Sequence, residues 1–396
     1  MNTDKISHIE NCIHNLFVEA NWKLNEIKFL SDVNIGKENI KGNRRALVSY
    51  LIKPLLIKGE RLSFSNAGIA RNIVKALNEL GFIVDVFDWK NEDFIPGRNY
   101  DLFIGHENTD YKIKKMYENL DPECIKIYFT TGSYWKFHNK QELLRLRGLN
   151  KRKEVNLIPD RYASKYKDFG LFNSDGVIVL GSDRTYKKLS DAFILNNAAY
   201  SDSSYDISKK DFEKAKDNFL FFSGTGNIHK GLDLLLEVFS QLKNKHLYIC
   251  TKLDDGFARV YEKELFNTNN IHFIGFVNPY SKKFYKVMNL CNYVIHPSCS
   301  EGSPGGVIEC MHHGLIPIIS RESNIDVKGF GYIIRDCSIE GITREIKRVA
   351  KERFFEKKAK KIINIAREKF SEEAFLNNLK KHINHILYVS KKNERK

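Results

Sequence analysis

The sequence predicts an α/β protein of two doubly wound domains, and three observations carry that reading. The chain has 396 residues, beyond the ~250–300 at which single hydrophobic cores stop growing, so two cores are expected. A β-prone run, a turn, a helical stretch and a second β-prone run follow one another from Arg45 to Phe87 and again from Phe219 to Cys250, which is how a doubly wound domain opens. Between them, SDSSYDISKKD (201–211) has the Ser, Asp and Lys content of a linker. The expected divisions are 1–205, 206–370, and a last helix with a basic tail over 371–396.

Composition narrows the function classes. Hydrophobic residues make up 42% and charged residues 29%, as in a soluble globular protein. No apolar run approaches the ~18–20 residues that span a bilayer, and MNTDKISHIENCIHNL lacks a signal-peptide core. Cys12, Cys124, Cys250, Cys291, Cys299, Cys310 and Cys337 are odd in number and scattered without C-x-x-C pairs, which points to reduced cytoplasmic thiols rather than disulfides or zinc. The net charge is +15, and residues 347–396 hold 16 Lys and Arg against 6 Asp and Glu. With no nucleic-acid motif beside it, that tail suits plain solvation or peripheral contact with an anionic membrane at its inner, cytoplasmic face.

In the first domain, Ile6, Ile9, Ile13, Leu16, Phe17, Ala20, Leu24 and Ile27 recur at helical spacing over 4–30. Arg45–Leu56 is β-prone. In FSNAGIARNIVKALNELGF, Ser65 or Asn66 caps a helix that stops at Gly81. Phe82–Phe87, Tyr100–Gly105, Ile125–Thr130 and Gly176–Leu180 read as further strands, with Ser182 and Asp183 starting a helix after the last. His106 follows its strand directly and so points into the ligand crevice at the carboxyl ends; the alternative is a loop histidine without function. Thr131 sits at another strand end beside Tyr134, Trp135, Phe137 and His138. These aromatics suit stacking on sugar rings at an acceptor site, or serve as a hydrophobic latch on the neighbouring helix. Arg145–Lys153 is too basic for core and suits a loop or the cleft mouth.

The second domain begins with the strand Phe219–Ser223 and then GTGNIHKGLDLLLEVFSQL. Glycines between a strand and a helix let backbone amides approach a phosphate, and Lys230 is placed to neutralise one. As a dinucleotide fingerprint this loop lacks its third glycine, because His229 stands there, and no acidic residue ends the second strand. His246–Cys250, Ile271–Phe276, Tyr293–His296, Leu315–Ser320 and Tyr332–Ile334 continue the sheet, with an amphipathic helix at Phe284–Asn289. Residues 340–370 are one or two basic helices, and Phe375, Leu379, Ile383 and Ile386 mark the last helix.

One stretch concentrates chemistry: YVIHPSCSEGSPGGVIECMHHGLIPIIS, residues 293–320. Pro297 ends a strand. Ser303 caps a helix with Pro304 at its first position, and Gly314 stops it. Gly305 and Gly306 leave the first-turn amides open to an anion, which the helix dipole also favours. Glu301 precedes this anion site and Glu309 lies about two turns into the helix. Phosphate donors flanked by carboxylates suit a ligand with both phosphate and hydroxyls, such as a nucleotide sugar; a solvated acidic loop beside a capped helix is the bland alternative.

The Glu-x7-Glu spacing of EGSPGGVIE resembles the signature of retaining glycosyltransferases of the two-Rossmann-domain GT-B architecture, the GT4 or group 1 family. The resemblance is strongest over 218–332. It implies two Rossmann-like domains facing a cleft, with the last helix crossing back onto the first. It also implies transfer of a hexose from a nucleoside diphosphate sugar to a glycan or lipid-linked acceptor hydroxyl, in surface polysaccharide synthesis. Glu301 would lie by the sugar and Glu309 on the ribose. Lys230, Thr225, Gly226, Ser303, Gly305 and Gly306 would face the diphosphate, with Phe276, Val277 and Tyr280 at the base. His106 would contact the transferred sugar, and Asn66, Thr131, Tyr134 and Trp135 would face the acceptor. An arginine often stands five residues before the lysine in that family, where this chain has Thr225, so another basic group or stronger amide contacts must substitute. No Asp-x-Asp triplet is present to hold a divalent ion, so no metal and no further cofactor are expected. A non-catalytic nucleotide-sugar binding protein and an NAD-dependent oxidoreductase remain as alternatives.

Overall fold

Two sheets whose strand order reverses in the middle organise the chain. A computed structural model describes residues 27–36, 42–57, 64–91, 93–106, 109–163, 167–186, 189, 191–202 and 204–393. The first sheet holds β1 (Phe29–Val33), β2 (Arg45–Tyr50), β3 (Ile83–Asp88), β4 (Leu102–His106), β5 (Ile125–Thr130), β6 (Gly176–Leu180) and β7 (Phe193–Leu195). Its spatial order is β1-β3-β2-β4-β5-β6-β7. Only β1 runs antiparallel, against β3. The second sheet holds β8 (Asn218–Phe222), β9 (His246–Cys250), β10 (Ile271–Phe273), β11 (Tyr293–His296), β12 (Ile316–Ser320) and β13 (Tyr332–Ile334), in the order β10-β9-β8-β11-β12-β13 and parallel throughout.

The inner strands are largely apolar because helices cover both faces of each sheet. Every residue of β11 and β12 is buried, and Tyr293 to His296 pair in register with Ile316 to Ile319. In such sheets ligands bind beyond the carboxyl ends of the strands where the order reverses. Those points lie between β2 and β4 in the first sheet and between β8 and β11 in the second. The chain beyond β4, β8 and β11 is among the segments the sequence marked for chemistry.

The last helix, Glu372–Asn393, returns to the first domain. Phe375, Leu376, Leu379, Ile383, Ile386 and Leu387 join that domain's core. Asn72 Nδ2 donates to Glu372 Oε1 at 3.0 Å, and Lys380 pairs with Glu79 at 2.5 Å. The approach is close at Gly176, where a Cβ would stand 2.6 Å from Ile386.

Several local expectations need correction. Residues 29–33 are an edge strand rather than the end of a helix; residues 4–26 lie outside the described residues. The β-prone run ends at Tyr50, and Lys53–Leu56 with Pro54 forms a helical turn. Neither Ser65 nor Asn66 caps the next helix. Phe64–Gly68 is a wide turn with Ser65 out of helical conformation, and the helix Ile69–Glu79 starts from Gly68. Among the described residues after Ser182 no helix forms, and the three-residue β7 closes the sheet instead. The linker stretch is partly docked, since Lys210 is buried with its ammonium on the Met288 and Cys291 carbonyls. Burial lowers its pKa to about 8. All six described cysteines are free.

Candidate active site

Pro297 stops β11, and the loop after it is held from three sides. Cys299 N donates to His229 O and Glu301 N to Glu322 O, both at 2.9 Å. The Glu301 carbonyl accepts from Asn324 Nδ2 at 2.5 Å and, across the domain boundary, from Ser133 Oγ at 2.7 Å. This fixes the Glu301 carboxylate between two basic groups. His296 Nε2 lies 3.5 Å and Lys230 Nζ 4.0 Å from Oε1, which also accepts from Ser298 Oγ at 3.2 Å. Burial alone would raise the Glu301 pKa, but Lys230, His296 and His229 outweigh it and hold the carboxyl well below its usual range. His296 is driven the other way, because burial favours its neutral ring.

The helix Gly305–His312 begins beside this carboxylate. Ser303 does not cap it: Pro304 is the capping residue and makes no side-chain bond. The Ser303 carbonyl instead accepts from Asn197 Nδ2 of the first domain at 2.8 Å. A Cβ on Gly306 would stand 2.8 Å from the Phe222 carbonyl, so glycine lets the helix end sit directly on β8. Gly314 closes the element at φ 76°. Glu309 is buried on this helix. Its Oε2 accepts from Tyr280 Oη at 2.6 Å, while Oε1 is buried without a partner. Burial pushes its pKa up to about 7, against the pull of Tyr280 and the Phe64 amide.

Beyond β8, Gly224, Thr225 and Gly226 lead to Lys230. Gly226 and Gly231 adopt φ 86° and 81°, conformations that L side chains rarely hold. Thr225 is exposed. Lys230 is lowered by burial, although Glu301 opposes the shift. The Phe276 ring is exposed beyond β10, with Lys252 Nζ 5.0 Å from its centroid. Of the other two base candidates, Val277 is buried in the core and so offers no surface, and Tyr280 is turned onto Glu309.

The first domain meets this loop closely. A Cβ on Gly302 would stand 2.0 Å from the Thr131 carbonyl, and one on Gly181 would stand 2.0 Å from the Gly302 carbonyl. Behind Thr131, His106 Nε2 lies 3.2 Å from its Oγ1, with the ring tilted on Tyr50 at 4.7 Å. His106 and Thr131 are therefore brought to Glu301's loop. Asn66 is exposed near Tyr50 Oη, at 3.4 Å. Tyr134 and Trp135 are turned away from a free platform. Tyr134 Oη and Trp135 Nε1 both donate to Asp168 Oδ1, at 2.9 and 2.8 Å, and the Tyr134 ring packs on Tyr186.

The sequence reading missed the strut that joins the domains. Arg145–Lys153 is not a loop but the end of the helix Trp135–Lys153, and it lines a cavity at the boundary with the second domain. Arg145 donates to Pro297 O at 2.9 Å, and Arg152 pairs with buried Asp233 at 2.6 Å. Deeper along the same helix, Glu142 Oε2 meets His229 Nδ1 at 2.6 Å; the other ring nitrogen donates to the Ser300 carbonyl. Burial would lower the His229 pKa, but Cys299 and Glu142 raise it to about 10. The ring is thus a cation donating from both nitrogens. Glu142, His229 and Cys299 bring metal-ligating atoms within 4.8 Å of one another, but both ring nitrogens are already engaged. The position that spoils a dinucleotide fingerprint is a buried latch.

Residues 204–369 match the family model described as Glycosyl transferases group 1. No curated protein matches the chain. Among solved structures the chain is similar to the sucrose-phosphate synthase of Thermosynechococcus elongatus, at 13% identity and TM-score 0.60, covering 88% of this chain and 100% of that one. It is similar to WaaG, a glycosyltransferase involved in lipopolysaccharide biosynthesis, at 14% identity and TM-score 0.53, covering 85% and 98%. It is also similar to Anabaena Alr3699/HepE in complex with UDP and glucose, at 15% identity and TM-score 0.51, covering 78% and 88%. It spans 53% of the chain of TarM, a longer structure. At these identities the likeness establishes the fold, which is GT-B. Among the described residues no helix is long and apolar enough to cross a membrane.

Proposed function

We propose that the protein is a retaining glycosyltransferase that moves a hexose from a nucleoside diphosphate sugar to a hydroxyl of a glycan or lipid-linked acceptor, in the building of a surface polysaccharide. The observation that carries this reading is Glu301. Its ionised carboxylate is fixed between Lys230 and His296, beside a glycine loop and an uncapped helix N-terminus. The group 1 family match across that region and the GT-B fold support it. So does the UDP and glucose held by one protein of the same fold.

The chemistry follows from the arrangement. Departure of the nucleoside diphosphate builds negative charge, which Lys230 and the amides at Gly305 and Gly306 stabilise without reorganising. Lys230 and these amides take the charge that a divalent ion would otherwise take, so transfer is metal-independent. Glu301 holds the sugar hydroxyls or faces the developing positive ring. Glu309 receives both ribose hydroxyls, one on the oxygen that now has no partner and one in exchange for Tyr280. Phe276 stacks on the base. His106 and Thr131 bound the sugar from the facing domain, and Asn66 lies toward the acceptor.

The test is a panel of nucleoside diphosphate hexoses incubated with EDTA, read as nucleoside diphosphate release with and without glycan acceptors. The product's anomeric configuration is then read by proton NMR. We expect turnover in EDTA with the donor's configuration retained, and a fall of about 10²–10³ in Glu301→Gln, the scale of losing one fixed electrostatic group at a reacting centre. An inverted product, or full activity in Glu301→Gln, overturns the assignment.

A further inference from the structure

Lys230 is not the only cation at the glycine loop. Arg161 belongs to the first domain, in the segment between the helices Trp135–Lys153 and Phe169–Phe172. Two neighbours on the long helix fix that segment. His138 Nε2 donates to Arg161 O at 2.7 Å, and Asn139 brackets Ala163 with two bonds of 2.8 Å each. From this anchored backbone the side chain crosses the domain boundary and lies against Gly226. A Cβ at that glycine would stand 2.8 Å from Arg161 Cδ and 2.9 Å from Nη1. Any residue but glycine would therefore displace the guanidinium as well as strain a backbone at φ 86°.

The guanidinium is under-used where it lies. Its Nε is buried and makes no hydrogen bond. It is also near enough to Lys230 to disfavour that ammonium's charge, adding to the effect of burial. Two cations held together in a partly buried space repel each other, and the cost falls when an anion lies between them. Lys230 already faces Glu301 at 4.0 Å, so a second cation is what a doubly phosphorylated ligand needs. The loop between them offers backbone amides and no bulky side chain, as an extended phosphate group requires.

We propose that Arg161 is a diphosphate-binding residue, supplied by the first domain to a site built on the second. This rests on the donor reading above and adds its missing cation. Donor binding then draws the domains together, because the diphosphate contacts Lys230 on one side of the boundary and Arg161 on the other. Thr225 has no need to be basic.

Calorimetric titration of the whole protein with UDP, ADP and GDP, each beside its monophosphate, tests this. We expect at least one diphosphate to bind the unaltered protein. In Arg161→Ala its affinity falls about ten- to hundredfold, as for loss of a charge-assisted bond, while that of the monophosphate changes little. Arg161→Lys recovers part of the loss, since it keeps the charge without the planar fork, and its unchanged melting temperature excludes unfolding as the cause. Undiminished diphosphate affinity in Arg161→Ala, or an equal loss for mono- and diphosphate, overturns the role of Arg161 and leaves the donor reading standing. Failure of the unaltered protein to bind any of the nucleotides overturns both.

Discussion

The two faces of the cleft are built differently. The second domain presents charge: Lys230 and Glu301 stand on loops of one parallel sheet and Glu309 on the helix that follows, all largely buried; burial shifts the pKa of Lys230 and Glu309, and neighbouring basic groups shift that of Glu301. The first domain presents mostly rings and hydroxyls, His106, Thr131, Tyr134 and Trp135, whose polar atoms are engaged within that domain. Its influence on the charged loop comes through single reaching side chains, Ser133 and Asn197 onto carbonyls and Glu142 onto His229. Local sequence builds an electrostatic site on one face. The other face positions that site through contacts far apart in the chain.

The largest expected effect tests this division. The Glu142 and His229 side chains are almost fully buried, so removing one partner leaves the other without compensation. Glu142→Ala should cost about 3–5 kcal/mol of stability in denaturant unfolding, the range for breaking a buried ion pair. The pH dependence has a definite sign. His229 is raised from 6.5 to about 10 in the folded protein. Its contribution is therefore complete below about pH 6.5 and is lost as pH rises through about 10. Glu142→Ala should flatten the unfolding curve in that window. A substitution that leaves both stability and its alkaline slope unchanged would show that the first domain does not hold the loop.

The same division explains what the sequence made legible. In the second domain β9, β11 and β13 fall where the apolar runs place them, and β8, β10 and β12 differ only at their ends, because strands buried on both faces have sharp Gly, Pro and charged boundaries. The loops with Lys230 and Glu301 and the helix with Glu309 were visible for the same reason. In the first domain β1 was hidden, since FLSDV is a half-exposed edge strand without a continuous apolar run. The cap assigned to Ser303 failed because Asn197 and the close approach of Thr131 shape that turn from outside. His229 looked like a missing glycine, and Arg161 lies in a stretch where no motif marks it. The available signal was the unusual density of basic residues after Trp135, which marked an interdomain helix rather than a loop.

Glu309 sharpens the other side of the comparison, because its role lies within the second domain. Its carboxyl is raised from 4.5 to about 7. The unfolded chain releases this proton first, so stability should fall between about pH 4.5 and about pH 7 and then level off. Ribose binding favours the ionised form, which accepts two bonds, so nucleotide affinity should rise as pH passes through about 7. Glu309→Gln should remove that rise and weaken donor binding by about 1.5–3 kcal/mol with little change in fold. Calorimetry across this range decides it: equal affinity and an equal pH profile in the variant would remove the ribose role.

The smallest effect concerns the basic tail, which joins the two domains from behind. Residues 347–396 carry 16 Lys and Arg against 6 Asp and Glu, but their apolar groups are mostly committed to packing. Phe355 and Phe370 are buried, the last helix places its apolar side chains in the first domain's core, and Phe354 is 73% exposed. Adsorption to a membrane surface would then rest on charge rather than insertion. Each basic residue near an anionic surface contributes on the order of 1 kcal/mol, screened over about 8–10 Å. We expect weak co-sedimentation with anionic vesicles at low salt, none with neutral ones, and loss at ~0.5 M salt. Phe354→Ser should leave the binding in place, because one exposed ring adds little beside the charge. Equal recovery with both vesicle types at low salt would mean that these residues only solvate helices folded onto the domains, and a strong loss in Phe354→Ser would mean that the ring inserts.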